Sequence, residues 1–128
     1  MLNLDTHILI YALQGELKSN EVELLARDQW SISDIVLWEV AKLAQLGRIE
    51  VDLDDRQVVR ALSRIHRWPI DLAVARASTR LDFRGDPADE IIAATSVVHG
   101  APLVTRDAVI RKSAIVPLAG WREVPDHP

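Results

Sequence analysis

Met1-Leu-Asn-Leu-Asp-Thr-His-Ile-Leu-Ile-Tyr-Ala-Leu13 is the stretch whose reading decides the fold. Its apolar start reads as a buried strand ending at Asp5, and from Thr6 onward Ile8, Leu9, Ala12 and Leu13 recur at the spacing of one helix face. Asp5 then lies at a strand's carboxyl end. In an open parallel sheet that edge binds ligands, because the following helices point their unpaired N–H groups into the crevice there. Taken alone, Asp5 is accounted for as the N-cap of that helix. Three more acids in comparable settings, Glu39, Asp89 and Asp107, make it a candidate cation ligand.

The neighbouring segments repeat the alternation. Glu21 to Arg27 reads as a short helix and Trp30 to Ser33 as a second strand. The run from Asp34 favours helix, with Ser33 or Asp34 as N-cap and Gly47 as stop signal. Ile35, Leu37, Trp38, Ala41, Leu43, Ala44 and Leu46 make it apolar around much of its girth, which predicts deep burial. Glu39 lies in that company, and two readings stay open. It escapes to a solvated stripe and pairs with Lys42 or Arg48, or it points into a polar centre where a cation compensates its burial.

Arg48 to Asp52 reads as extended, followed by a helix from about Asp54 to His66 that Trp68-Pro69 breaks. Ile70-Asp71 is a further extended piece, and Asp71 caps a helix carrying Leu72, Ala75, Ala77 and Leu81. Asp86 as N-cap, Pro87 at the first helical position and Gly100 as C-cap delimit the next helix at both ends. Asp89 at its third position is explained by a capping box. Yet Asp86, Asp89 and Glu90 put three acids into one turn, more than a cap requires. Ala101-Pro-Leu-Val-Thr-Arg-Asp107 repeats the opening pattern, so Thr105 and Asp107 would emerge beside Asp5 if the two strands are parallel neighbours. Ala114 to Leu118 reads as a last strand, and Trp121 as the anchor of a polar tail. The expectation is one domain over residues 1–128, with a core at about 2–118 and a tail at 119–128.

A chain of 128 residues, nearly half of them apolar, can bury a real core. It has no cysteine, which excludes disulfides and thiolate metal sites and fits a reducing compartment. The start lacks a basic leader and no apolar run is long enough for a bilayer, so the expected protein is soluble and cytoplasmic, with no membrane association. A net charge of −4 argues against a non-specific nucleic-acid coat, but it is compatible with a nuclease that gathers carboxylates at its centre. Strands alternating with helices give a mostly parallel sheet covered on both faces. Four acids from distant positions, no cysteine and scattered histidines suit hard cations such as Mg²⁺ or Mn²⁺. Phosphodiester hydrolysis is the natural product of such parts.

The pattern Leu4-Asp5-Thr6-His7, then Leu37-Trp38-Glu39-Val40-Ala41 with Leu46-Gly47-Arg48-Ile49, then Asp86-Pro87-Ala88-Asp89, then Leu103-Val104-Thr105-Arg106-Asp107 resembles the PIN-domain ribonucleases, specifically the VapC toxins of type II toxin–antitoxin modules. The resemblance spans roughly residues 2 to 118. It implies a three-layer α/β/α fold that binds one or two Mg²⁺ or Mn²⁺ ions and cleaves RNA through a metal-activated water. Asp5, Glu39, Asp89 and Asp107 match the family's four acids, with Thr6, Thr105 and Asp86 in support and Arg106 and Arg84 as candidate RNA contacts. It also implies a homodimer and a cognate VapB-like antitoxin, and the apolar surface from Val22 to Leu46 is the expected place of contact. Glu90 stands where many relatives have Arg, which bears on RNA approach or offers another ligand. Val109 and Ile110 stand where relatives often have an aromatic.

Other readings fit less well. A haloacid-dehalogenase-like phosphatase needs Asp-x-Asp where this chain has Asn3-x-Asp5, and a response-regulator receiver needs a strand before Asp52 or Asp54 and a better-placed Lys than Lys112. The alternative that stands is a catalytically silent PIN-like module binding RNA or protein.

Overall fold

The computed structural model describes residues 1–120, so Trp121 lies outside the described residues. β1 (Leu2–Leu4) enters α1 (Thr6–Gln14) at once, because Asp5 is extended and its carboxylate accepts the N–H of Thr6. The chain continues through α2 (Ser19–Leu25), β2 (Trp30–Ser33), α3 (Asp34–Gln45), α4 (Arg56–Ser63) and β3 (His66–Trp68). It finishes with α5 (Leu72–Ser78), α6 (Pro87–His99), β4 (Leu103–Val104) and α7 (Ala108–Arg111). The four strands are all parallel, in the order β3-β2-β1-β4, and helices cover the sheet in a three-layer α/β/α arrangement. β1 is central, pairing Leu2 with Trp30 on one side and Leu4 with Val104 on the other.

Side chains alternate along β1, and the alternation divides the faces. Asn3 is buried and turns to α6, its Nδ2 donating to the Ile92 carbonyl at 3.2 Å and to the Ser96 hydroxyl at 2.9 Å. Leu2 and Leu4 enter the core from the opposite face. Leu4, Ile8, Leu9, Ile32, Ile92, Leu103 and Ile110 are fully buried in one cluster. Among the described residues no helix is long and apolar enough to cross a membrane.

The caps of α6 are those its sequence predicts: Asp86 accepts the Asp89 N–H, Pro87 opens the helix and Gly100 closes it at φ 65°. Four expectations are corrected. Arg48 to Asp52 is not a strand: after Gly47, at φ 70°, the chain runs irregularly, and the Asp52 carboxylate takes the Asp54 N–H in a turn. The α4 helix is shorter at both ends than the expected Asp54–His66, starting after the Asp55 cap. The edge strand falls on His66–Trp68 rather than Ile70-Asp71, because Pro69 keeps Trp68 extended and β2 offers a free edge to pair with. Ala114 to Leu118 contributes a single bridge, Leu118 to Leu103, since the Ser113 hydroxyl gathers the N–H groups of Ile115 and Val116 into a turn. In α3, moreover, Val36 and Val40 are buried while Trp38 and Leu46 are exposed, so only one stripe of that apolar helix meets the core.

Candidate active site

The carboxyl ends of β1 and β4 lie side by side, and the residues just beyond the paired Leu4 and Val104 are Asp5 and Thr105. Asp5, 6% exposed, is held at both oxygens: Oδ1 accepts the Thr6 N–H at 2.8 Å and Oδ2 the Thr105 hydroxyl at 2.6 Å. The same Thr105 oxygen accepts the Asp107 N–H at 3.0 Å. One buried hydroxyl thus locks together two acids that are a hundred residues apart in the chain. Asp107 turns one oxygen to the N–H groups of Val109 and Ile110 and starts α7.

Glu39, in the second turn of α3, accepts the Thr6 hydroxyl. Of its expected partners, Lys42 donates to Gln45 and Arg48 lines a different cleft. The first turn of α6 brings Asp86 and Asp89, tied by the Asp89 N–H at 2.9 Å from Asp86 Oδ1. Asp5, Glu39, Asp86, Asp89 and Asp107 therefore line one pocket of about 340 Å³, with His7, Ile8, Tyr11 and Arg106 completing its wall.

Five carboxylates around one pocket disturb one another. Burial raises the Asp5 carboxyl above its ordinary value, against the hydrogen bonds from Thr105 and Thr6. Glu39 is raised by burial and by the charges of Asp86 and Asp5. Asp89 goes furthest, from 3.8 to about 7, through burial and then the fields of Asp5, Asp86, Asp107 and Glu39. Its own carboxylate has no hydrogen-bond donor among the described residues to offset this. Such an arrangement favours whatever brings positive charge into the pocket. Among the described residues, no three histidines or acids already converge tightly enough to grip an ion.

The sequence matches the PIN domain over residues 3–116. The chain belongs to the PIN-domain family. Over 87 residues, 66% of this PIN domain and 67% of its relative, it is 33% identical to ribonuclease VapC22 of Mycobacterium tuberculosis. In fold it is similar to a chain of VapBC2 from Rickettsia felis, solved with a DNA fragment from its promoter (TM-score 0.70, 24% identity, covering 95% of this chain and 100% of that one). It is also similar to a chain of a toxin–antitoxin complex from Klebsiella pneumoniae (TM-score 0.69, 22% identity, 94% and 97% covered).

In this PIN domain the four sequence-read acids and Asp86 come together, with Thr6 and Thr105 supporting them. Arg84 does not join them: with Glu90 it lines a separate cleft of about 270 Å³, and Glu90 faces the Gly85 N–H at 3.4 Å. Arg106 borders the acid pocket but is committed to Glu21, donating from Nε at 2.7 Å and from Nη2 at 2.6 Å, with its guanidinium 4.0 Å above the Tyr11 ring. Sequence reading missed Glu21 and Tyr11. Tyr11 stands four residues after His7 on the α1 face behind Asp5, a usable signal; Glu21 looks like any acid in a helix's first turn. His7 and Tyr11 also wall a second cleft of about 590 Å³, reaching to Arg48 and Glu50, so the two side chains border both cavities.

Proposed function

We propose that this PIN domain is a VapC-like toxin of a type II toxin–antitoxin module, an endoribonuclease that hydrolyses RNA phosphodiester bonds with Mg²⁺ or Mn²⁺. The observation that carries this reading is the pocket of five carboxylates at the carboxyl edge of the sheet, where Arg106 is already taken by Glu21. An all-oxygen donor set with unrelieved negative charge fits a hard divalent cation. Asp5, Glu39, Asp89 and Asp107 would hold it. When bound, such an ion lowers the pKa of water and balances charge that develops on a phosphoryl group.

The chain's own residues do the rest. Thr6 and Thr105 fix Asp5, so that this carboxylate is presented in one orientation rather than several. Thr6 also steadies Glu39 from α1. Asp89, raised to about 7 by burial and by the neighbouring acids in the pocket, is the acid whose charge a divalent ion there would relieve most. The cleft on the other side of His7 and Tyr11, which reaches to Arg48, is where a strand leaving the acids would lie.

A cognate antitoxin and a homodimer belong to the same proposal. Similarity to the ribonuclease VapC22 and to chains from toxin–antitoxin complexes supports it, and an acidic pocket is a natural receptor for an inserted Arg or Lys. Val22, Trp38 and Leu46, exposed at 52%, 57% and 59%, are apolar surface of the kind an antitoxin would cover. The test is cleavage of a labelled single-stranded RNA panel by antitoxin-free protein with Mg²⁺, Mn²⁺ or EDTA, beside Asp89→Asn. Metal-dependent cutting that disappears in the variant supports the reading. Absence of cutting on every RNA moves the protein to a binding-only role.

A further inference from the structure

Arg106 is rooted between two residues of the acid pocket, Thr105, which holds Asp5, and Asp107. Among the described residues it is the one arginine or lysine that lines that pocket, yet its ion pair is with Glu21, 85 positions earlier on α2. A long, permanently charged side chain at the pocket's border is a candidate internal counter-ion for the acids. The chemistry that makes the pocket a receptor for a partner's Arg applies equally to the chain's own.

Three features oppose that collapse. Glu21 engages the guanidinium in a two-bond fork, which fixes direction as well as distance. The Glu21 carboxylate is itself held: it is fully buried, and its Oε1 also accepts the Lys18 N–H at 2.8 Å. The Tyr11 ring lies under the guanidinium as a platform. A buried carboxylate needs its partner far more than a solvated one does, so Arg106 is not free to exchange between Glu21 and the pocket.

We propose that Glu21 is a positioning residue that pins Arg106 on Tyr11 at the pocket's rim and thereby keeps the chain's own guanidinium out of the cation site. The inference rests on the metal reading above and adds to it a residue outside the pocket that keeps the pocket receptive. If Glu21 instead merely staples α2 to the loop after β4, its loss would not be relieved by removing Arg106 as well.

The experiment is Mn²⁺ binding to the whole chain, followed by calorimetry and by the spin-resonance signal of free Mn²⁺, for wild type, Glu21→Gln and Glu21→Gln/Arg106→Gln, each checked for folding by circular dichroism. Glu21→Gln keeps the side chain's shape and an acceptor for Lys18. Releasing a cation into the pocket weakens Mn²⁺ binding by about tenfold or more, the effect a nearby charge has on a carboxylate's affinity for a proton. Removing Arg106 as well restores the wild-type affinity. Wild-type affinity in folded Glu21→Gln overturns the proposal, and so does a double variant as weak as the single one; both leave the metal reading intact. A wild type that binds no Mn²⁺ overturns the metal reading and this inference with it. If Glu21→Gln does not fold, Glu21→Asp, which keeps the charge but cannot span the fork, makes the same comparison.

Discussion

Asp89→Asn should make the metal-free protein more stable at alkaline pH, although it removes one of the four acids. In the folded chain the Asp89 carboxyl is pushed from 3.8 to about 7, first by burial and then by Asp5, Asp86, Asp107 and Glu39. Between those values the folded acid keeps a proton that the unfolded acid has released. Stability therefore falls as pH rises through that window, and the whole penalty is present above 7. At ~1.4 kcal/mol per pH unit the full rise corresponds to ~4 kcal/mol, and because Asp89 is only partly buried, solvent screening reduces the expected effect to ~1–2 kcal/mol. Asn carries no charge, resembles the protonated acid in shape, and forfeits no side-chain hydrogen bond among the described residues. Urea unfolding in EDTA at pH 8, 6 and 4.5 measures it. The variant should be the more stable at pH 8, with an advantage that fades toward pH 4. An advantage independent of pH, or a wild type that is more stable at pH 8, would refute the account of a mutually repelling pocket.

Thr105→Val removes the buried hydroxyl that donates to Asp5 and accepts from the Asp107 N–H, so it should lose ~1–3 kcal/mol in urea titration together with most RNA cleavage. Retention of both would mean that Asp5 does not need this partner. Mn²⁺ at a hundred times its dissociation constant should stabilise the wild type by ~2.7 kcal/mol in thermal melts and Asp89→Asn by clearly less at the same concentration. Equal shifts would remove Asp89 from the ligands. Gly100→Ala should cost about 1 kcal/mol through backbone conformation alone, since the residue closes α6 at φ 65° and an added Cβ meets nothing within 4 Å. A neutral result would show that the helix end relaxes freely.

Local signals made much of this molecule readable. The apolar run before Asp5, and the Asp86-Pro87 start and Gly100 stop of α6, each work within a few residues, and the structure realises all of them. The gathering of the acids followed from one further rule, that strands read as parallel share a carboxyl edge. What escaped depends on distant partners. His66–Trp68 becomes a strand because β2 has a free edge, and Ala114 to Leu118 fails to become one partly because Asp82 holds Ser113 from 31 residues away. Glu21 is the clearest case: nothing near it in sequence marks it as buried, because its partner Arg106 is 85 positions later. Trp38 errs the other way, apolar yet exposed, since periodicity says which residues share a face but not what lies against it.

The central position of β1 also sets a schedule. Its neighbour β4 comes far later in the chain, and Asp5 meets Thr105 only after a hundred further residues exist. At a synthesis rate of roughly 5–20 residues per second, about 5–20 s separate translation of the first acid from that of the last. Until that interval ends the emerging chain lacks Asp107, and until Thr105 is made Asp5 lacks the hydroxyl that holds it, while β1 lacks the β4 neighbour on its second edge. A growing polypeptide on its ribosome, close to abundant RNA, therefore carries only fragments of the acid basin. The basin closes only once Thr105 and Asp107 have been made.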